Sequence, residues 1–359
     1  MTFMRNILRS LFARQTDNVL GVDVGTSAVK IVQLDRRKGR PLLKAAGVVD
    51  LPSGIMENGA CRDVKALAAL LRQALGTSGA DIRDAALAIG VPALFVREIS
   101  FPPLSPDELR EAVKWDSEKY VPFAPETYYY DYAVTGRGTS ELELRVMLAA
   151  APREVVDDLL AAAKEAGLRP AAIDAEPLAI YRTLPAAGNA LVVDIGAEVS
   201  HATIFQDGAP VVARPLPING QRFTEVVMEA FELGQTEAER LKQRQKGLLF
   251  RPGTQGESST VHRSFELLVT EAAREAMRTI EYYRIQNKEA IIDKAFLTGG
   301  GAALDNIVHY FAAQLDVPVV IHDPLAPFDV AGSFDPQYIR SLGGRLGVAV
   351  GLALRGGEA

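Results

Sequence analysis

The chain has 359 residues, a formal net charge of −6 and 48% apolar composition. That length carries two domains or one large bilobed unit with real cores, and the acidic balance excludes a nucleic-acid binder held by a general positive field. Its single cysteine, Cys61, excludes an internal disulfide framework and fits a reducing compartment, and His201, His262, His309 and His322 lack the spacing of zinc ligands.

No apolar run reaches the roughly 18 residues that a membrane span needs. At the start, Phe3, Met4, Ile7, Leu8, Leu11 and Phe12 recur at helical spacing beside Arg5, Arg9 and Arg14. Such a segment lies on an acidic membrane surface or docks on its own protein. It has neither the continuous apolar core nor the small-residue cleavage site of an export signal.

Residues 20–34 read as a strand, Asp23, a turn on Gly25 with Thr26 and Ser27 at its tip, and a second alternating strand that includes Lys30. This is hairpin chemistry, distinct from a strand-to-helix dinucleotide turn. An aspartate at the strand end can hold a hydrated divalent cation, and Gly25 lets backbone approach a phosphate. The same pattern occurs in ordinary hairpins, so the stretch alone does not decide.

The charge run 36–40 reads as a solvated loop, and residues 42–50 as a strand. Asn58 to Leu75 carries helical periodicity that stops at Gly76-Thr77-Ser78-Gly79, and Ala85 to Gly90 is a short apolar strand. Composition changes at Phe101-Pro102-Pro103-Leu104. Ser105, Pro106 and Glu108 predict a capping box and a helix through Tyr120. Tyr128 to Val134 and Leu142 to Ala150 alternate like paired strands joined across Gly136-Arg137-Gly138. Arg153 to Ala166 is helical, and Ala171 to Asp174 strand-like. Residues 95–174 therefore read as a small inserted α+β module that returns to the main sheet. Trp115, Tyr120, Phe123, Tyr128, Tyr129, Tyr130 and Tyr132 pack its core or line a partner groove.

Residues 191–205 repeat the opening pattern, with Asp194 and Gly196 at an offset of 171 from Asp23 and Gly25. Two such hairpins facing each other would clamp one phosphate chain. Helices follow over Gly220 to Phe231 and Glu237 to Gln245, then a mobile loop from Gly247 to Thr260 and a long helix from Phe265 to Gln286. A strand from Lys294 meets three consecutive glycines, Gly299, Gly300 and Gly301, at a helix start, where absent Cβ atoms let a base or phosphate lie on backbone. Val317 to Ile321 is a last strand and Arg345 to Leu354 a closing helix.

The ordered set of Asp-x-Gly hairpin, inserted module, Ala175-Glu176-Pro177-Leu178, second hairpin, Glu239-x-x-Lys242 and glycine turn resembles the actin-like ATPase superfamily across nearly the whole chain. The resemblance implies an α/β actin-like ATPase fold: two lobes of mixed sheet plus helices around a nucleotide cleft, with a small inserted module of the FtsA type. The expected boundaries are an amphipathic segment at 1–18, a first lobe at 19–94 and 175–189, and the inserted module at 95–174. The second lobe would take 190–219 and 294–359, and its subdomain 220–293.

The wording at 20–34, 101–104, 175–178, 193–198 and 296–301 is similar to that of the PilM family of type IV pilus assembly. An FtsA-like cell-division chain is expected to continue past the last helix into a membrane helix, whereas this sequence stops at Gly356-Gly357-Glu358-Ala359.

Carried over by position, the resemblance implies phosphate contacts at Asp23, Gly25, Thr26, Ser27, Lys30, Asp194 and Gly196. Mg2+ would be held through water by Asp23 and Asp194, and the catalytic positions are Glu176 and Asp194. Glu239 and Lys242 match the ribose and base positions, and Gly299, Gly300 and Gly301 the adenosine turn. The implied cofactors are ATP and Mg2+. The implied partner is the short N-terminal cytoplasmic peptide of the inner-membrane protein PilN, gripped between the first lobe and the module, with the protein cytoplasmic and peripheral to the inner membrane.

The second hairpin departs from the most catalytic members, which favour Asp-x-Gly-x-Gly-Thr: Glu198 stands at the second glycine. Its carboxylate repels phosphates, faces solvent or holds the magnesium. This favours binding over turnover, at most a slow ATPase. The alternative on this fold is a small-molecule kinase, with Glu176 or Asp174 as its base.

Overall fold

The computed structural model describes residues 18–35, 40–137, 143–185, 188–244, 247–252, 260–287 and 291–355. The amphipathic start, most of the 36–40 charge run, Gly138, the middle of the 247–260 loop and the last four residues lie outside the described residues. In chain order the elements are β1 (Leu20–Val24), β2 (Ala28–Asp35), β3 (Leu42–Asp50), β4 (Met56–Glu57), β5 (Ala60–Cys61), α1 (Val64–Ser78), β6 (Asp84–Ile89), β7 (Phe95–Phe101) and α2 (Pro106–Tyr120). Next come β8 (Tyr128–Arg137), β9 (Leu144–Pro152), α3 (Arg153–Glu165), β10 (Arg169–Ala175), α4 (Glu176–Arg182), β11 (Ala190–Ile195), β12 (Ser200–Gln206) and β13 (Ala209–Pro215). The remainder is α5 (Gly220–Phe231), α6 (Gln235–Arg244), α7 (Thr260–Gln286), β14 (Lys294–Thr298), α8 (Ile307–Gln314), β15 (Val319–Ile321), β16 (Asp329–Val330), α9 (Pro336–Leu342) and α10 (Gly347–Leu354).

The chain divides into two compact units. The first runs to Thr183 and adds Leu325–Tyr338 and the chain from Leu346. Its six-stranded sheet has the order β10-β6-β1-β2-β3-β16, mixed because β1 to β3 form a meander while β10, β6 and β1 run parallel. Helix α1 begins six residues later than its periodicity suggests. Asn58 and Gly59 have positive φ, at 51° and 76°, and turn the β4–β5 hairpin, and Asp63 then caps the helix by accepting from the Ala66 N–H.

Residues 95–152 form a three-stranded antiparallel sheet, β7-β9-β8, covered by α2. The capping box on α2 forms as expected: Ser105 and Glu108 exchange hydrogen bonds with each other's backbone N–H. Tyr128 is buried in this core with Phe123, Tyr120, Tyr130 and Tyr132 packed around it, and Arg153 stacks on Tyr129 at 4.6 Å. Trp115 differs, at 64% exposed. Strand β10, expected within the inserted module, pairs with β6 in the six-stranded sheet instead.

The assignment of 294–359 to the second lobe is corrected at its end. Helix α10 is apolar on every side, and a helix without a polar face needs cover all round. It finds this in the first unit, on β1 and α4. Glycine makes the approach: a Cβ on Gly21 would enter the backbone of Ala349 and Ala353, and one on Gly351 that of Ala179.

The second unit comprises Leu184–Pro324 and Ile339–Arg345. Its five-stranded sheet, β13-β12-β11-β14-β15, repeats the meander-plus-parallel plan of the first. Helices α5, α7 and α8 bury Phe223, Phe265, Tyr283 and Phe311 in one core with β11, β12 and β14.

Candidate functional site

In open sheets with parallel strands, ligands gather at the strands' carboxyl ends. In the first unit those ends carry Asp23 on β1, Gly90 after β6 and Glu176 after β10. The first hairpin closes tightly, with Gly25 N donating to Ala28 O at 3.1 Å. Asp23 and Lys30 stand opposite each other across it. The ammonium donates to the carboxylate at 2.7 Å, with side chains 14% and 8% exposed for lysine and aspartate. Thr26 and Ser27 form the tip, where the Ser27 carbonyl accepts from Leu51 N at 2.9 Å.

Glu176 opens α4, and its carboxylate lies so close to Gly90 that a Cβ there would overlap it. No motif pointed to Gly90. The candidate base Asp174 is withdrawn from chemistry: it is fully buried, with Oδ2 2.7 Å from Arg182 and 2.9 Å from Arg355. Burial alone would raise its carboxyl, but the two guanidiniums and the Ala175 N–H together hold it below the ordinary range.

The second unit assembles the larger group. Asp194 and Thr298 are register partners on β11 and β14, so the second hairpin and the triple-glycine turn start side by side. Gly299 has φ 82°, and a Cβ there would meet Asp194 Oδ1 and, at 2.6 Å, the Ile195 carbonyl. Gly301 lies as closely on the Ile195 side chain. Beneath this turn Thr298 and His322, both buried, bond at 3.0 Å.

The turn after Asp194 rests on the first turn of α5. Gly220 N donates to Gly196 O at 2.9 Å and Gln221 N to Ala197 O at 2.8 Å. Asn219, the N-cap of α5, donates to Glu198 O at 2.5 Å, while the Glu198 residue is exposed. From the other side Lys242 Nζ reaches Glu239 Oε2 at 2.6 Å and Gly220 O at 2.9 Å. Burial would raise the Glu239 carboxyl; hydrogen bonds from Lys242 and Thr224 and the ammonium charge outweigh it and hold it low. The structure thus joins Gly196, Glu239 and Lys242 around α5, whose Asn219, Gly220 and Thr224 the motifs do not include, while the glycine turn lies on Asp194 and Ile195. An Asn-Gly start before an apolar-periodic helix was the available signal.

At Gly299 and Gly301 the bare backbone lies against Asp194 and Ile195, where a Cβ would collide. Among the described residues no cluster of three or more His, Cys, Asp or Glu could hold a metal. A magnesium ion bound by one or two carboxylates plus phosphates requires no such cluster. Among the described residues no helix is long and apolar enough to cross a membrane.

A family profile described as type IV pilus assembly protein PilM matches residues 21–357. A solved PilM-PilN type IV pilus biogenesis complex matches with TM-score 0.81 and 29% identity, covering 95% of this chain and 99% of that one. The ethanolamine utilization protein EutJ from Carboxydothermus hydrogenoformans matches with TM-score 0.56 and 16% identity over 94% of this chain and 89% of that one. MreB5 of Spiroplasma citri bound to AMPPNP matches with TM-score 0.51 and 15% identity over 93% and 94%. The last two show the actin-like fold alone.

Proposed function

The chain belongs to the type IV pilus assembly protein PilM family, and on that premise we propose that it is an ATP-binding scaffold that holds the N-terminal cytoplasmic peptide of PilN. The observation that carries this reading is the match to a PilM-PilN complex over 95% of the chain at 29% identity. Asp23, Gly25, Thr26, Ser27 and Lys30, with Asp194 and Gly196, hold the phosphates, and Gly299 to Gly301 carry the adenosine. Asp23 and Asp194 would hold Mg2+ through water, and the chemistry it would supply there is neutralisation of phosphate charge. Glu176 orients water, and the carboxylate of Glu198 beside the second turn keeps turnover slow.

The peptide lies between the six-stranded sheet's subdomain and the inserted module, with Pro102-Pro103 and the exposed Trp115 as candidate contacts. An apolar peptide there gains burial and backbone pairing. On this reading the protein sits on the cytoplasmic side of the inner membrane through its partner. The kinase alternative loses one of its two bases, because Asp174 is locked between two arginines.

The test is fluorescence anisotropy of a labelled PilN N-terminal peptide, with and without ATP and Mg2+. Saturable binding that changes with nucleotide, and loses that change in Asp194→Ala, supports the proposal. No peptide binding in either state, or specific phosphorylation of a sugar, overturns it.

A further inference from the structure

This inference rests on the nucleotide reading and concerns what Lys242 does for it. An ammonium has three N–H donors, and all three of Lys242 have acceptors inside the protein. These are Glu239 Oε2 at 2.6 Å, Gly220 O at 2.9 Å and Thr224 Oγ1 at 2.9 Å. The Thr224 hydroxyl in turn donates to Glu239 Oε2 at 2.5 Å, and Gln243 donates to Glu239 Oε1 at 2.8 Å. Lys242 is 15% exposed at its side chain and Thr224 is 1% exposed.

The carbonyl that Lys242 grips belongs to Gly220, whose N–H carries Gly196 of the second phosphate turn. Gln221 and Asn219 carry the next two carbonyls of that turn. Lys242 therefore pins the first turn of α5 from one side while the phosphate turn leans on the other. To reach a ribose or base it would give up one of three short bonds in a half-dry setting, where an unpaired polar group is costly.

We propose that Lys242, with Thr224, is a positioning residue that fixes the Gly196–Glu198 turn through Gly220, and does not contact the nucleoside. Glu239 Oε1 has acceptor capacity beyond Gln243, so the claim covers Lys242 and Thr224 only.

Two measurements test it. In the full chain without ligand, Lys242→Met and Thr224→Val should speed hydrogen exchange at the Gly220 and Gln221 amides by about five- to tenfold, as loss of one supporting hydrogen bond implies. Exchange in the centre of β11 should not change, and Thr224→Ser should restore protection. Second, Lys242→Met should weaken ATP and inorganic tripolyphosphate by the same factor and leave the ATP-to-GTP preference unchanged. Unchanged exchange, or ATP weakened with tripolyphosphate untouched, overturns the proposal. If the unaltered protein binds neither ATP nor tripolyphosphate, the nucleotide reading fails, and the exchange result alone decides the role of Lys242.

Discussion

Asp23 and Lys30 face each other across the first hairpin and pair at 2.7 Å, whereas the residue facing Asp194 in the second hairpin is His201. The two pairs sit at the same offset of 171 along the chain, with a lysine opposite one aspartate and a histidine opposite the other. Burial holds the His201 imidazole below its ordinary value, which keeps it neutral near pH 7. The two hairpins thus place different residues opposite their aspartates although their backbones repeat.

The first prediction follows from that asymmetry. Lys30→Met leaves Asp23 largely buried without its cation, a loss of about 1–3 kcal/mol of stability. On the proposed reading Lys30 also contacts the phosphates, so ATP affinity should fall by about tenfold or more. His201→Gln should leave ATP affinity within about twofold at pH 7.5, since a neutral group replaces a neutral group. Thermal melting and titration calorimetry measure both.

Much of this arrangement is legible in the sequence, for reasons that depend on the residue. The α2 capping box, the α5 boundaries and both Asp-x-Gly turns are local chemistry, set by residues within a few positions of one another. Gly90 facing Glu176 and Gly351 facing Ala179 are close approaches between distant segments, and no local pattern encodes them. Helix α10 shows the same limit: its all-apolar composition demands burial but does not say against which sheet.

Asp174 yields the second prediction. Removing one member of a buried ion cluster leaves uncompensated charge, so Asp174→Asn should cost about 3–5 kcal/mol. Its carboxyl is held low in the folded state. The stability it contributes is therefore fully present above the unfolded value of about 3.9, and is lost as pH falls from there through the folded value. Melting temperature measured from pH 6 down to pH 2.5 should fall more steeply for the native chain than for Asp174→Asn. Parallel profiles would refute the assignment.

Glu198 carries the third. Its side chain stands on the exposed turn whose carbonyls are already held by α5, so replacement leaves the turn seated. Glu198→Gln should tighten ATP binding about three- to tenfold at low ionic strength, and the gain should shrink toward nothing at about 1 M salt, where charges are screened within about 3 Å. A gain that ignores salt would rule out charge repulsion as the effect of Glu198.

Three glycines separate packing from conformation in the last prediction. Gly76 lies exposed in α1, and a Cβ added there would have nothing within 4 Å, so Gly76→Ala should stabilise by about 0.4–1 kcal/mol through the unfolded chain's entropy. Gly351 is equally helical, but its Cβ would enter the Ala179 backbone, where nothing flexible can yield. Gly351→Ala should therefore destabilise by about 1–3 kcal/mol and push α10 off α4. Gly299 combines a positive φ of 82° with a Cβ position blocked by the Ile195 carbonyl at 2.6 Å. Gly299→Ala should lose both stability and ATP binding, because relieving either conflict moves the turn proposed to hold the adenosine. Denaturant melts rank the three, and calorimetry with ATP must single out Gly299; equal ATP affinity in Gly299→Ala and the native chain would remove that turn from the nucleotide site.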